Sequence, residues 1–130
     1  MLRVYYWSLN QATASGTPCH FNGVTGSSGN AYSQTETDNI VGAAGAVVTI
    51  QITQYTVTNS NGQIRVNGSL VFMNNTFTVT LDGSGNGSFT TTLSGDPADT
   101  GTVVRVQYTI VSVSTGQITT PNTLQASKVF

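Results

Sequence analysis

Apolar and polar residues alternate along much of the second half of the chain, which is the pattern of a β-strand with one buried face. The clearest case is segment 77–81, where Phe77, Val79 and Leu81 fall on one face and threonines fall on the other. Alternation that is rich in β-branched residues favours an extended strand over a helix. We therefore expect a half-buried strand here, followed after a turn by a second strand that carries Phe89.

Two longer strand candidates, 46–58 and 104–113, change their apolar face partway along. In the first candidate Ile52 falls on one face and Tyr55 on the other, and in the second the change comes at Val111. A change of phase within one strand indicates a β-bulge, or a strand that passes from one sheet to another. In the first candidate the change falls near Thr53 and Gln54.

Turn residues separate the strand candidates, and no window of a dozen residues shows the 3.6-residue repeat of a helix without a glycine interruption. The turns at 59–62 and 82–87 each predict a hairpin between the flanking strands. About seven or eight antiparallel strands in a chain of this length indicate an all-β protein with almost no helix. The predicted fold is a single β-sandwich domain, of immunoglobulin-like or jelly-roll type.

Residues 10–45 differ in composition from the regular strand-and-turn segment 46–130. They are rich in Gly, Ser, Asn and Thr and hold few large apolar residues. Long stretches without regular structure are uncommon inside a compact domain. We therefore interpret 10–45 as a long irregular N-terminal arm, or as a pair of short irregular strands, ordered against the body of the domain or against a neighbouring copy.

Uncharged polar residues dominate the composition: Thr alone accounts for 22 of the 130 residues, against nine charged residues. The four cations are scattered, so no basic stripe is available for nucleic acid or for an anionic lipid surface. A formal net charge of −1 leaves little repulsion between copies. Composition therefore argues against nucleic acid and membrane insertion, and it permits a homo-oligomer.

The first residues of the chain alternate between apolar and polar types and lack the apolar run of about seven or more residues that an export signal requires. No segment approaches the roughly 18 apolar residues of a membrane helix. The single cysteine, Cys19, cannot form an internal disulfide. We expect a protein made in the cytoplasm, or a mature fragment of a longer protein, that works in a virion or at an extracellular surface.

One short motif has the spacing of a metal site. Asp82, Ser84 and Asn86 match the first half of a calcium-binding loop, in which alternate residues supply oxygen ligands around a glycine turn. The bidentate glutamate expected at the twelfth position is replaced by Leu93. The motif is thus a weak calcium candidate, and a tight turn explains the same residues. We predict no metal and no cofactor.

Catalytic constellations are weak. Cys19 and His20 are adjacent, and adjacent side chains on an extended backbone point apart, which suits neither a nucleophile–base pair nor a zinc site. Glu36 and Asp38 have the spacing of two acids on one strand face, as a glycosidase would need, but they fall in the irregular segment. We interpret them as solvated loop acids and predict no catalytic residues and no enzymatic activity.

Aromatic side chains are the best candidates for a binding surface, because their faces stack on sugars or on a neighbouring subunit. Tyr5 and Trp7 share one face of a predicted first strand, and Tyr32 and Tyr55 are two further candidates. The alternative interpretation is that Trp7 belongs to the core and that Tyr5 lies against the arm.

Two functions are compatible with these observations. The first is a non-enzymatic structural protein that self-associates, either in a virion as a capsid decoration, fibre or tail component, or in an extracellular filament or layer. The irregular arm, the nearly uncharged surface and strand patterns close to both termini favour it. The alternative is a lectin-like, carbohydrate-binding β-sandwich, which an exposed aromatic cluster beside Asn or Asp would favour.

Overall fold

The structure is a computed structural model that describes residues 16–96, 98 and 100–130. The described residues form ten β-strands and no helix. Eight strands have four or more residues, close to the predicted number, and two are pieces of two residues. The strands are β1 (Pro18–Gly29), β2 (Ser33–Val41), β3 (Val47–Val57), β4 (Gln63–Val66), β5 (Ser69–Leu70), β6 (Thr76–Thr80), β7 (Asn86–Ser94), β8 (Val103–Val113), β9 (Gln117–Ile118) and β10 (Thr123–Val129).

The strands form two sheets that pack against each other as a β-sandwich, which confirms the predicted all-β class. Sheet A has the order β9-β1-β2-β7-β4-β5, and sheet B has the order β10-β8-β3-β6. All neighbouring strands are antiparallel except β9 and β1, which pair in parallel. Most turns between successive strands therefore carry the chain from one sheet to the other.

Every second residue of the long strands enters the core between the sheets. Ile50 and Ile52 of β3 and Val106 and Tyr108 of β8 are completely buried. Phe89 of β7 contributes from the opposite sheet and meets the ring of Tyr108 edge to face. Burial of apolar side chains from two facing sheets is the main force that holds such a sandwich together.

Both predicted changes of phase are β-bulges in the pairing of β3 with β8. Thr53 is the extra residue on β3, because the residues on either side of it pair with consecutive residues of β8. Val111 is the extra residue on β8 for the same reason. A bulge shifts the alternation by one residue, which is the phase change that the sequence shows.

The two predicted hairpins are wrong. The turn at 59–62 joins β3 of sheet B to β4 of sheet A, and the turn after β6 leads to β7 of sheet A. Turn residues indicate that the chain reverses, but they do not determine which sheet the returning strand joins. The true two-residue hairpin joins β4 to β5 through Asn67 and Gly68, which have φ angles of 50° and 84°.

The prediction of an irregular arm is wrong for most of segment 10–45. Residues 10–15 lie outside the described part, but β1 and β2 are long strands whose pairing shifts register twice, so the alternative of two irregular strands ordered against the body holds from Pro18 onward, although the strands are longer than predicted. The apolar signal is weak because the second half of β1 is exposed, and because two of the inward positions of β2 are the acids Glu36 and Asp38.

A glycine contact joins the turn between β6 and β7 to the turn between β2 and β3. Gly85 has a φ of 79°, and its carbonyl oxygen accepts a hydrogen bond from the N–H of Gly42 at 2.9 Å. A Cβ atom on Gly85 would collide with the carbonyl oxygen of Gly42, whereas a Cβ atom on Gly83 would meet open space.

We predict that Gly85→Ala lowers the free energy of unfolding by about 1–3 kcal/mol, because the new methyl group strains both the backbone and the contact with Gly42. Gly83→Ala, in the same turn, should change it by less than about 0.5 kcal/mol. Urea denaturation of the two variants beside the wild-type protein measures the difference. Equal effects of the two substitutions would contradict the assigned role of Gly85.

Candidate functional site

Strand β6 forms one edge of sheet B, and no described strand pairs with its outer side. Its inner side bonds to β3, with Leu81 N–H donating to the Ala46 carbonyl at one end and Ile52 N–H donating to the Asn75 carbonyl at the other. In an antiparallel pair the residues that bond across alternate with residues whose N–H and C=O point away. The backbone N–H and C=O groups of Thr76, Thr78 and Thr80 therefore point away from β3.

Strand β6 itself carries none of the three features within a strand by which sheet edges usually resist pairing. Segment 76–80 has no charged residue, no proline and no bulge in its pairing with β3. The side chains of its three threonines are exposed on the outer face of sheet B, while Val79 is buried. Natural edges are normally protected by lysine, proline, a bulge or a covering segment. The exposed backbone groups of β6 are thus suited to accept another strand.

An exposed apolar turn lies directly before β6. Leu70, Phe72 and Met73 are 42, 53 and 47% exposed. The turn is held by two hydrogen bonds, from Asn75 N–H to the Phe72 carbonyl at 3.1 Å and from Phe72 N–H to Asn75 Oδ1 at 2.8 Å, and Asn74 has a φ of 69°. Side-chain hydrogen bonding of this kind fixes a turn. The fold therefore presents these apolar side chains to solvent in one set conformation.

A groove of about 330 Å³ borders the same turn. The rings of Tyr55 and Phe72 lie on it with their centroids 6.0 Å apart, and Asn59 and Gln63 contribute amide groups. Burial raises the pKa of Tyr55, so its hydroxyl stays protonated. No charged side chain of the described residues lines the groove. Its surface is thus apolar with neutral hydrogen-bonding groups.

The other predicted aromatic candidates do not meet in this groove. Tyr32 is exposed in the connection between β1 and β2 and does not line it. Tyr5 and Trp7 lie outside the described residues. Phe72 was not predicted as a binding-surface residue, because in the sequence it continues the apolar strand pattern of Leu70. Its preceding Asn-Gly turn and following Asn pair are the signal that the segment is a connection.

The calcium-like motif forms a tight turn. Asp82 Oδ1 accepts hydrogen bonds from the N–H of Ser84 at 2.8 Å and of Asn86 at 3.0 Å. These hydrogen bonds hold the pKa of Asp82 below its ordinary value, and the bond from Asn86 has the largest effect. No group of three or more His, Cys, Asp or Glu among the described residues is arranged to hold a metal ion. The turn accounts for the motif, and calcium binding at Asp82, Ser84 and Asn86 stays a weak prediction.

The interpretation of Glu36 and Asp38 as solvated loop acids is wrong. Both face the core from β2, and Asp38 is completely buried. Asp38 Oδ2 accepts a hydrogen bond of 2.5 Å from the Thr91 hydroxyl, which lies 2.7 Å from the hydroxyl of Tyr108. Alternation on a strand places residues two apart on the same face, so the register that buries Ile40 buries both acids as well.

The protonation state of Asp38 explains how Glu36 and Asp38 can be buried side by side. Asp38 Oδ1 and Glu36 Oε2 are buried without a hydrogen-bond partner among the described residues if both groups are ionised. Burial, together with the hydrogen bond to the neighbouring Glu36 carboxyl, raises the pKa of Asp38 to about 8 against the opposing effect of the Thr91 hydroxyl. Asp38 is therefore protonated at neutral pH. Burial also raises the pKa of Tyr108, so the Tyr108 hydroxyl stays neutral.

The adjacent Cys19 and His20 also lie on opposite faces of their strand. Cys19 is completely buried, and burial raises the pKa of its thiol. His20 is half-buried, with its Nδ1 atom 2.8 Å from the Phe21 carbonyl oxygen. A protonated, buried thiol is a poor nucleophile. The geometry of this pair suits packing.

Comparisons of the chain with protein-family models, with curated proteins and with solved structures found no match. Within the described part of the chain, no helix has the length and apolar character needed to cross a membrane. The features of the protein that bear on its function are therefore the β-sandwich and the surface formed by β6, the turn before it and the Tyr55 groove.

We predict that the free energy of unfolding falls as the pH rises from about 4 to about 8. Asp38 keeps its proton up to a pKa of about 8 in the folded protein but releases it near the ordinary value of 3.8 in the unfolded chain. The folded state thus binds more protons in this range, and rising pH favours unfolding, by on the order of a few kcal/mol in total. Urea denaturation at a series of pH values measures the slope.

Asp38→Asn should flatten this slope, because the amide does not titrate. Asp82→Asn is the control, since it removes a titratable carboxyl group of the same kind from an exposed turn, where the lowered pKa acts only at more acidic pH. A slope in Asp38→Asn equal to that of the wild-type protein would show that Asp38 is not the responsible group.

Proposed function

We propose that the protein is a structural subunit that self-associates through the side of the sandwich formed by β6 and the turn before it. The observation that carries the proposal is the uncharged edge strand Thr76–Thr80 lying directly beside the exposed Leu70, Phe72 and Met73. An open edge offers backbone hydrogen bonds, and an adjacent apolar surface offers burial. Together they suit a protein partner that brings a strand of its own.

A second copy of the chain is the partner that charge favours. The formal net charge is −1, so two copies approach with little repulsion. The surface around β6 carries no charged side chain on the strand or on the turn at 72–75. A charged partner would gain nothing from this surface, whereas an identical neutral surface complements it.

The setting proposed for this assembly is a virion, as a capsid decoration, fibre or tail component, or an extracellular filament or layer. In both settings identical β-domains are held together by many repeated contacts. A sandwich with a hydroxyl-rich surface and one self-complementary side supplies one of the contacts that such an assembly needs, and a further contact would extend it beyond a dimer. The proposal involves no catalytic residue and no cofactor.

We predict that the molar mass of the purified protein, measured by light scattering, rises with concentration to a defined oligomer. Phe72→Ser should shift the association constant at least tenfold toward the monomer, because it removes a large apolar contact from the interface, and tenfold corresponds to about 1.4 kcal/mol. Val24→Ser is the matched control, since Val24 is a similarly exposed apolar residue on β1. A wild-type monomer at every concentration would refute the proposal.

A lectin-like function is the second candidate, and the groove beside Tyr55 favours it. The rings of Tyr55 and Phe72 offer faces for a pyranose ring, while the amides of Asn59 and Gln63 offer hydrogen bonds to its hydroxyls. The volume of about 330 Å³ is at the lower limit for small-ligand sites. The absence of charge among the described lining residues suits a neutral sugar.

If this second function is correct, a glycan array should identify a neutral saccharide whose binding is weakened about tenfold or more by Tyr55→Ala, because a stacking ring is lost. Tyr32→Ala provides the control, since Tyr32 is exposed but lies outside the groove. Binding that is equally affected by both substitutions, or by neither, would exclude the groove as the sugar site.

A further inference from the structure

We propose that two copies pair through their β6 strands, antiparallel, about a two-fold axis that passes beside Thr78. The two B sheets then form one continuous sheet of eight strands. The inference rests on the proposed function, since it specifies how self-association occurs, and it adds the partner strand, the symmetry and the register.

The outward backbone groups of β6 are self-complementary. With the axis at Thr78, that residue lies opposite itself, and Thr76 of each copy lies opposite Thr80 of the other. All three positions have both N–H and C=O directed outward, so each of the three cross-strand pairs makes two hydrogen bonds. Six backbone hydrogen bonds then join the two copies.

Neighbouring registers make fewer bonds. An axis at Phe77 places Thr80 opposite Asn74, whose N–H already donates to the Ile52 carbonyl at 3.0 Å. An axis at Val79 places Thr76 opposite Asp82, whose N–H already donates to the Asn86 carbonyl at 2.8 Å. The ends of β6 are thus occupied by intramolecular bonds on both sides, which leaves the register centred on Thr78 as the best satisfied.

Side chains support the same arrangement. The three threonines lie on the outer face of the sheet, where they form cross-strand Thr–Thr pairs, which are favourable neighbours. A two-fold axis brings identical residues together, so a charged residue at the centre would repel itself, and β6 has none. The register also directs the turn of Phe72 and Met73 toward the turn at 82–87 of the other copy, where the exposed Asp82 is the charged residue nearest the paired strands.

The opposite edge of sheet B is less suited to this pairing. Strand β10 carries Lys128, and lysine is a residue by which natural edges discourage the addition of strands. The exposed apolar residues Phe72 and Met73 beside β6 lie in a fixed turn, whereas at β10 the exposed Val129 stands at the end of the strand. We therefore assign the interface to β6.

Cysteine cross-linking tests the register in full-length protein with Cys19→Ala as the background. Thr78→Cys should form a disulfide-linked dimer under mild oxidation, because facing residues of a hydrogen-bonded antiparallel pair have Cα atoms about 5.5 Å apart, within disulfide reach. Thr76→Cys alone should not, since its copies lie roughly 14 Å apart along the strands. An equimolar mixture of Thr76→Cys and Thr80→Cys should give the mixed dimer.

A second pair of variants tests the edge without cross-linking. Thr78→Lys places two charges against each other at the axis and should return the oligomer to monomers in light scattering. Ser88→Lys adds the same charge at an exposed position on β7, a strand paired inside sheet A, and should leave the mass unchanged.

The outcomes separate this inference from the proposed function. A wild-type oligomer that neither cross-links at Thr78→Cys nor dissociates in Thr78→Lys overturns the β6 register and leaves self-association standing. Cross-linking of Thr76→Cys alone as fast as Thr78→Cys also overturns it. A wild-type monomer at every concentration overturns both.

Discussion

The antiparallel pairing of β3 with β8 is the constraint on which the rest of the sandwich depends. These two strands occupy the middle of sheet B and supply most of its fully buried side chains, including Ile50, Ile52, Val106 and Tyr108. Because each strand bonds on both sides, no further strand can join at the centre, and the remaining strands of sheet B become edges. The exposure of β6 is therefore a consequence of the best-packed part of the molecule.

The two bulges in this pairing have a second effect. Each bulge increases the local twist and shifts the alternation, so that one end of the strand faces the core and the other end faces elsewhere. Because of the bulge at Thr53, the side chain of Tyr55 does not continue the row of buried residues and lies in the surface groove beside Phe72. The groove thus arises from the same irregularity that keeps Ile52 buried.

The buried pair of Glu36 and Asp38 takes part in hydrogen bonds that link the two sheets, but its burial costs free energy. The hydrogen-bond chain from Asp38 through Thr91 to Tyr108 runs from sheet A to sheet B, so it joins the two layers by directional bonds. Burying a carboxyl group is costly unless it is neutral or hydrogen-bonded. The raised pKa of Asp38 keeps its carboxyl group neutral, which lowers that cost and makes the stability of the sandwich dependent on pH.

The sequence predicted the class of fold and the strands from residue 46 onward, because their alternation of β-branched and polar residues is local information. It predicted the two changes of phase for the same reason, with a bulge as one of the two explanations. It could not predict the hairpins correctly, since the sheet that a returning strand joins is decided by long-range pairing. It predicted β1 and β2 only as one of two alternatives and as short strands, because Glu36 and Asp38 occupy inward positions and hide the apolar period.

The candidate surface depends on tertiary structure in the same way. Segment 77–81 was recognised as a half-buried strand, but its position at the edge of the sheet follows from the order of all four strands of sheet B. Phe72 and Met73 read as part of a strand and become a surface turn only because Asn74 and Asn75 bond to Ile52 and to Phe72.

Threonine connects the composition of the chain to its proposed behaviour. A β-branched side chain with a hydroxyl group favours an extended backbone and tolerates both a half-buried and an exposed face. On paired strands such as β7 it stabilises the sheet without creating charge. On an edge such as β6 the same residue leaves the backbone groups accessible, since it provides neither a repelling charge nor a bulky cover. Sheets that are rich in threonine therefore leave the edge strand β6 with little protection, and the proposed self-association depends on this property.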